Sequence, residues 1–178
     1  NTGIEMVLNG TIINQNGWVW KLGMNLTHYK NKVTDLPLKD MPQSGVNKLQ
    51  VGRSVYDFYM IEWAGVDPEN GDPLWYMDEE DENHNPTGKR VTTNDYGSAD
   101  YYYVNKSSLP KVYGGFNTSL SWKGFDLSAI FAYSIGGYIY NRDITMILHN
   151  GSLEGRDWST EILKRWTPDN RNTDVPAL

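Results

Sequence analysis

Two stretches alternate apolar and polar residues for longer than a short soluble strand requires. In "WVWKLGMNLTHYKNKV", Trp18, Trp20, Leu22, Met24 and Leu26 fall on one side of an extended chain, and Val19, Lys21, Gly23, Asn25, Thr27 and Tyr29 on the other. In "KGFDLSAIFAYSIGGYIY", Phe125, Leu127, Phe131 and Tyr133 share one side with Ala129 and Ile135, while Asp126, Ser128 and Ser134 share the opposite one. Each stretch is preceded by a matching partner. "IEMVLNGTIIN" alternates Ile4, Met6, Leu8 and Ile12 with Glu5, Asn9 and Thr11, with Val7 and Ile13 breaking the period, and it is joined to its successor by Asn16-Gly17. "KVYGGFNTSLSW" alternates Val112, Phe116, Leu120 and Trp122 with Tyr113, Asn117, Ser119 and Ser121, and is joined by Lys123-Gly124. The pattern predicts two long antiparallel hairpins, at about 4–33 and 111–140, and an all-β fold.

The intervening text changes character. "TDLPLKDMPQSGVNKLQVGRS" has loop composition, and "SVYDFYMIEWAGV", "DPENGDP" and "LWYM" read as a small hairpin. "DEEDENHNPTGKRVTTNDYGSADYYYVNK" reads as a long acidic loop. At the end, "DWSTEILKRW" places Trp158, Ile162 and Trp166 four residues apart behind Asp157, which predicts one short helix stopped by Thr167-Pro168. On this reading 34–110 and 141–178 are loop regions.

An apolar face opposite a small polar one suits a strand half-buried in a sandwich, and equally a barrel strand with lipid outside and water inside. The longest apolar runs, such as "AIFAY", fall far short of the roughly 20 residues of a membrane helix, so only strands are left to span a bilayer. The aromatic residues are mostly the 12 Tyr and 7 Trp, rings with a polar atom that suit wet-to-dry boundaries. A net charge of −6 without a basic cluster excludes a nucleic-acid partner. The start, "NTGIEMVLNG", and the end, "NTDVPAL", read as cut ends of a longer chain.

Catalytic and metal chemistry find little support. No Cys is present, and His28, His84 and His149 lack a second ligand at metal spacing, which makes each a surface or interface histidine. The acidic segments 67–72 and 78–89 depart from the calcium-loop pattern, and no G-x-S-x-G occurs. No catalytic residue, metal ligand or cofactor is assigned. Asn9, Asn25, Asn105, Asn117 and Asn150 head N-x-Ser/Thr triplets, which composition explains better than glycosylation. Trp75, Tyr76, Tyr101, Tyr102 and Tyr103 are candidate loop contacts for a ligand or partner, weighed against a role in bracing the loop.

The phrases "VGRSVYDFYMIEWAGVDPENGDPLWY", "TTNDYGSADYYY", "LPKVYGGFNTSLSWKGFDLSAIFAYSIGGYIYN" and "LKRWTPDNRNTDVPAL" resemble the SusC/RagA family of TonB-linked outer-membrane transporters. The resemblance implies a slice from the later part of a barrel of about 22 strands, in the outer membrane of a Gram-negative bacterium. It also implies a SusD-like surface lipoprotein as partner, TonB acting through a part absent here, and an oligosaccharide or peptide as cargo. Trp18, Trp20, Leu22, Met24, Leu26, Phe125, Leu127, Phe131 and Tyr133 would then meet lipid. Tight turns at 16–17 and 123–124 would face the periplasm, with 34–54, 78–110 and 141–178 outside the cell. The rival reading is a secreted all-β carbohydrate-binding or adhesion module.

Overall fold

The computed structural model describes residues 1–38, 41–149 and 151–178. Lys39 and Asp40, within the expected 34–54 loop, and Asn150, which heads the last N-x-Ser/Thr triplet, lie outside the described residues. Nearly all regular structure is β: β1 (Thr2–Gln15), β2 (Trp18–Lys30), β3 (Asp57–Ile61), β4 (Trp63–Val66), β5 (Pro73–Glu80), β6 (Pro86–Thr93), β7 (Tyr101–Ser107), β8 (Val112–Trp122) and β9 (Phe125–Ile135), with one α-helix, α1 (Arg142–Ile147). The chain divides into two units, one of 1–58 and 105–139, the other of 59–104 and 140–178.

The first unit carries an antiparallel sheet in the order β1-β2-β8-β9. Both hairpin turns have two consecutive left-handed residues, Asn16 (φ 53°) with Gly17 (φ 78°) and Lys123 (φ 47°) with Gly124 (φ 86°). That geometry matches the right-handed twist of the flanking strands and explains why two residues suffice to reverse the chain. Gln15 pairs with Trp18, Trp18 with Trp122, and Trp122 with Phe125, so both turns emerge at the same end of the sheet.

Register decides which side chains share a face, since residues paired across strands point the same way. Met24 pairs with Leu8 and Phe116, and Phe116 with Phe131; Trp20 pairs with Leu120, and Leu120 with Leu127; Leu26 pairs with Met6 and Gly114, and Gly114 with Tyr133. The apolar positions of four strands thus form one continuous face. A bulge between Thr11 and Ile13 resets the phase of β1, so that Ile13 stands opposite Trp20 and joins that face. The break in period at Ile13 is this bulge.

Three expectations need correction. The stretch 78–106 is no long loop: β5 and β6 pair across a turn at 81–85, where Asp81 Oδ1 accepts from the amides of Asn83 (2.8 Å) and Asn85 (3.0 Å), and β7 follows. β9 stops at Ile135, because Gly136 and Gly137 both take positive φ and turn the chain out of the sheet before Tyr140. The α-helix lies at 142–147, capped by the Asn141 side chain, and "DWSTEILKRW" forms only a 3-10 turn over Thr160–Lys164 behind Ser159. Its extension is blocked because downstream groups take its last carbonyls and the amide that follows them. Asn170 Nδ2 donates to Lys164 O and Arg165 O, Thr173 Oγ1 donates to Lys164 O, and Trp166 N donates to Val175 O.

In the second unit, β4-β5-β6 form a three-stranded sheet. The segment after the 3-10 turn is fastened to the 67–72 turn by Trp166 Nε1 donating to Pro68 O (3.2 Å) and Ala177 N donating to Gly71 O (2.9 Å). Gly71 (φ 83°) is required there, since a Cβ would stand 2.7 Å from the Trp166 ring.

Candidate functional site

The first candidate surface is the apolar face of the four-stranded sheet. Its exposure is unusual: Phe125 is 75% and Leu127 70% accessible, and Phe58 is the only buried apolar side chain among the described residues. A water-soluble domain of about 150 residues buries some two-thirds of its surface around an apolar core, and among the described residues no such core forms. From Phe125 to Ile135 the face runs ten residue steps. At about 3.3 Å per step and a tilt of about 40°, that gives roughly 25 Å of height, the thickness of a barrel's apolar band. Trp18 stacks on Trp122 (4.8 Å between ring centroids) at the turn end, and Phe116 on Phe131 (4.3 Å) across the middle. Toward the far end Tyr133 crosses Gly114 to donate its hydroxyl proton to Asn25 O (3.0 Å). All nine residues expected to meet lipid share this face.

The opposite face is small and polar. Gly23 leaves room for the carboxamides of Asn9 and Asn117, each of which a Cβ at that position would strike. Ser121 donates to Asp126 at the turn end. Asp126, Ser128 and Ser134 stand on this face opposite Ser121, Ser119 and Tyr113. Val7, Val19, Ile130 and Ala132 are its apolar exceptions.

The second candidate surface is a cavity of about 720 Å³ within the second unit. Cross-strand neighbours Trp63 and Trp75 meet edge to face (5.9 Å), and Tyr96 meets Trp75 likewise (5.2 Å), which builds one wall. His149, Trp158 and Ile162 supply another. His149 is set just past α1, its carbonyl accepting from Ser152 N and Oγ and its Nδ1 accepting from Leu153 N (3.2 Å). Expected at a surface or an interface, His149 is buried within the second unit, with Trp158 edge-on to its ring (5.3 Å).

Of the five loop aromatics singled out from sequence, only Trp75 lines this cavity. The others brace the fold. Tyr102 and Tyr76 hold the Arg90 guanidinium between their rings (3.6 and 4.7 Å to the centroids) while Arg90 pairs with Glu62 (2.8 Å), and Tyr102 donates to Asp78 (2.9 Å). Tyr101 and Tyr103 pack against Tyr59. Trp63, Tyr96 and His149 were missed because the cavity gathers them from separate stretches of the chain. The one legible signal was the pairing of Trp63 with Trp75 across the "DPENGDP" turn.

No protein-family model matches the sequence. Two TonB-dependent receptors of Formosa agariphila are 29% and 27% identical to it over 190 residues, covering 99% of this chain and 18% of each relative. The solved RagAB peptide transporter superposes with a TM-score of 0.82 at 33% identity over 99% of this chain and 19% of that one. Over 99% of its length the chain is similar, in sequence and in fold, to a segment of a TonB-dependent receptor barrel. The RagAB peptide importer in its "closed-closed" and "open-open" states matches this chain equally fully, with TM-scores of 0.82 and 0.80 at 32% and 31% identity. The segment spans less than one fifth of the length of each of these relatives. Its four long strands leave β1 and β9 as open edges, so closure of a barrel wall requires strands beyond those described.

Proposed function

We propose that this chain is part of the wall and outer loops of a TonB-dependent importer in the outer membrane of a Gram-negative bacterium. Its role is transport, with a peptide or oligosaccharide as cargo, a SusD-like lipoprotein at the extracellular mouth, and energy delivered by TonB through another part of the receptor. The apolar face of β1-β2-β8-β9 meets lipid and the small polar face meets the aqueous lumen. The two-residue turns face the periplasm and the long connections lie outside the cell, following the asymmetry of bacterial barrels. The observation that carries this reading is the continuous, exposed apolar face. A secreted sandwich module would instead need a second sheet upon it, and its side chains would be buried.

Adjacent residues of β9 test the assignment, because Phe131 and Ile130 point to opposite faces. In the full-length receptor, Phe131→Arg is expected to cut outer-membrane insertion sharply, since an arginine on the lipid face costs about 2–4 kcal/mol near the midplane. Ile130→Arg is expected to insert normally. Equal insertion of the two variants would reject the lipid-facing assignment.

A further inference from the structure

The cavity of the second unit joins aromatic walls to a carboxylate that has no counter-charge. Trp75 meets Trp63 and Tyr96 at near right angles (75° and 76° between ring planes), so the three rings form a corner where a stack would offer one flat surface. Trp158 lines the same space. Trp63, Tyr96 and Trp158 are 42%, 56% and 40% accessible, which leaves these rings open to a ligand arriving from water. Among the described residues no Lys or Arg lines the cavity, and its one carboxylate, on the exposed Asp174, has neither a hydrogen bond nor an ion pair. His149 adds no charge, since its Nδ1 accepts from Leu153 N. The imbalance extends beyond the lining. The second unit carries 17 Asp and Glu against 7 Lys and Arg, a net charge of −10, while the first unit carries +4.

The lining selects its occupant by what it lacks. A volume of about 720 Å³ lies within the range of small-ligand sites. An anion is repelled by the field of the unit, and a neutral apolar molecule leaves the carboxylate and the negative ring faces uncompensated. A hard metal ion takes about six or more oxygen ligands, which walls made mostly of aromatic and aliphatic carbon do not supply. A primary ammonium brings three N–H donors, each of which needs an acceptor once it leaves water. A quaternary ammonium has no N–H to satisfy, and it is attracted to ring faces within about 6 Å as well as to a carboxylate.

We propose that this cavity binds a quaternary ammonium ion, held by cation–π contact with Trp63, Trp75, Tyr96 and Trp158 and by the charge of Asp174. The site goes beyond the importer reading and stands apart from it, since it lies within the second unit and holds whichever medium the four-stranded sheet meets.

The test is calorimetric titration of the full-length receptor, purified in a maltoside detergent, with choline, with its uncharged isostere 3,3-dimethyl-1-butanol, and with ethanolamine. Three variants accompany it: Trp75→Leu removes the central ring, Asp174→Asn removes the charge at nearly constant shape, and Asp174→Lys reverses it. Choline is expected to bind the wild type about tenfold or more tighter than either the alcohol or ethanolamine. Its affinity falls about threefold in Asp174→Asn and about tenfold or more in Asp174→Lys and Trp75→Leu. Because Trp75 also braces Trp63 and Tyr96, the exposed Asp174 positions keep the test decisive where Trp75→Leu fails to fold. The proposal is overturned by no choline binding up to about 10 mM, by equal affinity for choline and the alcohol, by ethanolamine binding as tightly as choline, or by a choline affinity that Asp174→Lys leaves unchanged. Equal insertion of the Phe131→Arg and Ile130→Arg receptors would reject the lipid-facing assignment and leave this site standing.

Discussion

Gly114 is where the four-stranded sheet tolerates least, and its replacement by alanine gives a sharp quantitative test. A Cβ added there would stand far inside contact distance of the Asn25 carbonyl oxygen and 2.8 Å from the Tyr133 hydroxyl. The Asn25 obstacle is backbone, held in the β2–β8 ladder, so it can yield only by separating the strands. Over-packing of this kind costs about 1–3 kcal/mol, and displacing Tyr133 from Asn25 O removes a hydrogen bond worth about 1 kcal/mol. Gly114→Ala is therefore expected to destabilise the receptor by about 2–4 kcal/mol. Gly10 is the internal control: it lies in the same sheet, and a Cβ there meets nothing within 4 Å. Gly10→Ala should be neutral or stabilising by up to about 1 kcal/mol, through the entropy glycine loses in a strand. Denaturant unfolding of the full-length receptor in detergent, followed by tryptophan fluorescence, reads both. Coincident midpoints for the two variants would refute the close approach of β8 to β2 on which the reasoning stands.

Two further outcomes concern the second unit. Arg90→Lys removes the planar guanidinium held between Tyr102 and Tyr76; with about 1 kcal/mol at stake in a partly exposed site, protease cleavage within 78–104 should quicken, and an unchanged cleavage rate would contradict a bracing role. The amides of Asn85 and Asn83 hold the Asp81 carboxyl below the usual carboxylate range. A depressed folded-state pKa stabilises the turn above the ordinary carboxylate value, and that contribution fades as pH falls through the folded value. Amide chemical shifts of Asn83 and Asn85 should therefore move only below the ordinary range; a transition centred above it would be inconsistent with the carboxylate as their acceptor.

How much could be read from the chain follows from what each element needs. The long hairpins were legible because a face made of Trp, Leu, Met and Phe against Asn, Ser and Gly imposes a period of two, and because Asn16-Gly17 and Lys123-Gly124 permit left-handed backbone. β6 was not, since "PTGKRVTT" is polar on both faces and is a strand by virtue of its pairing with β5. The 3-10 turn at 160–164 was misread as a helix because the repeat of Trp158, Ile162 and Trp166 is visible locally, whereas the groups that take its carbonyls, Asn170 and Thr173, come afterwards. Trp75 announced the cavity, but His149 sits 74 residues beyond it, and no local pattern distinguishes a buried imidazole from an exposed one.

The bulge at Thr11/Ile13 bears on how such a wall can change in evolution. Because side chains alternate strictly, losing or gaining one residue within β2, β8 or β9 would turn every position beyond the change inside out. β1 holds one residue in reserve: removing Ile12 returns the strand to a plain ladder with Ile13 still opposite Trp20. Among descendants of this sequence, single-residue length variation inside the sheet should concentrate at that point.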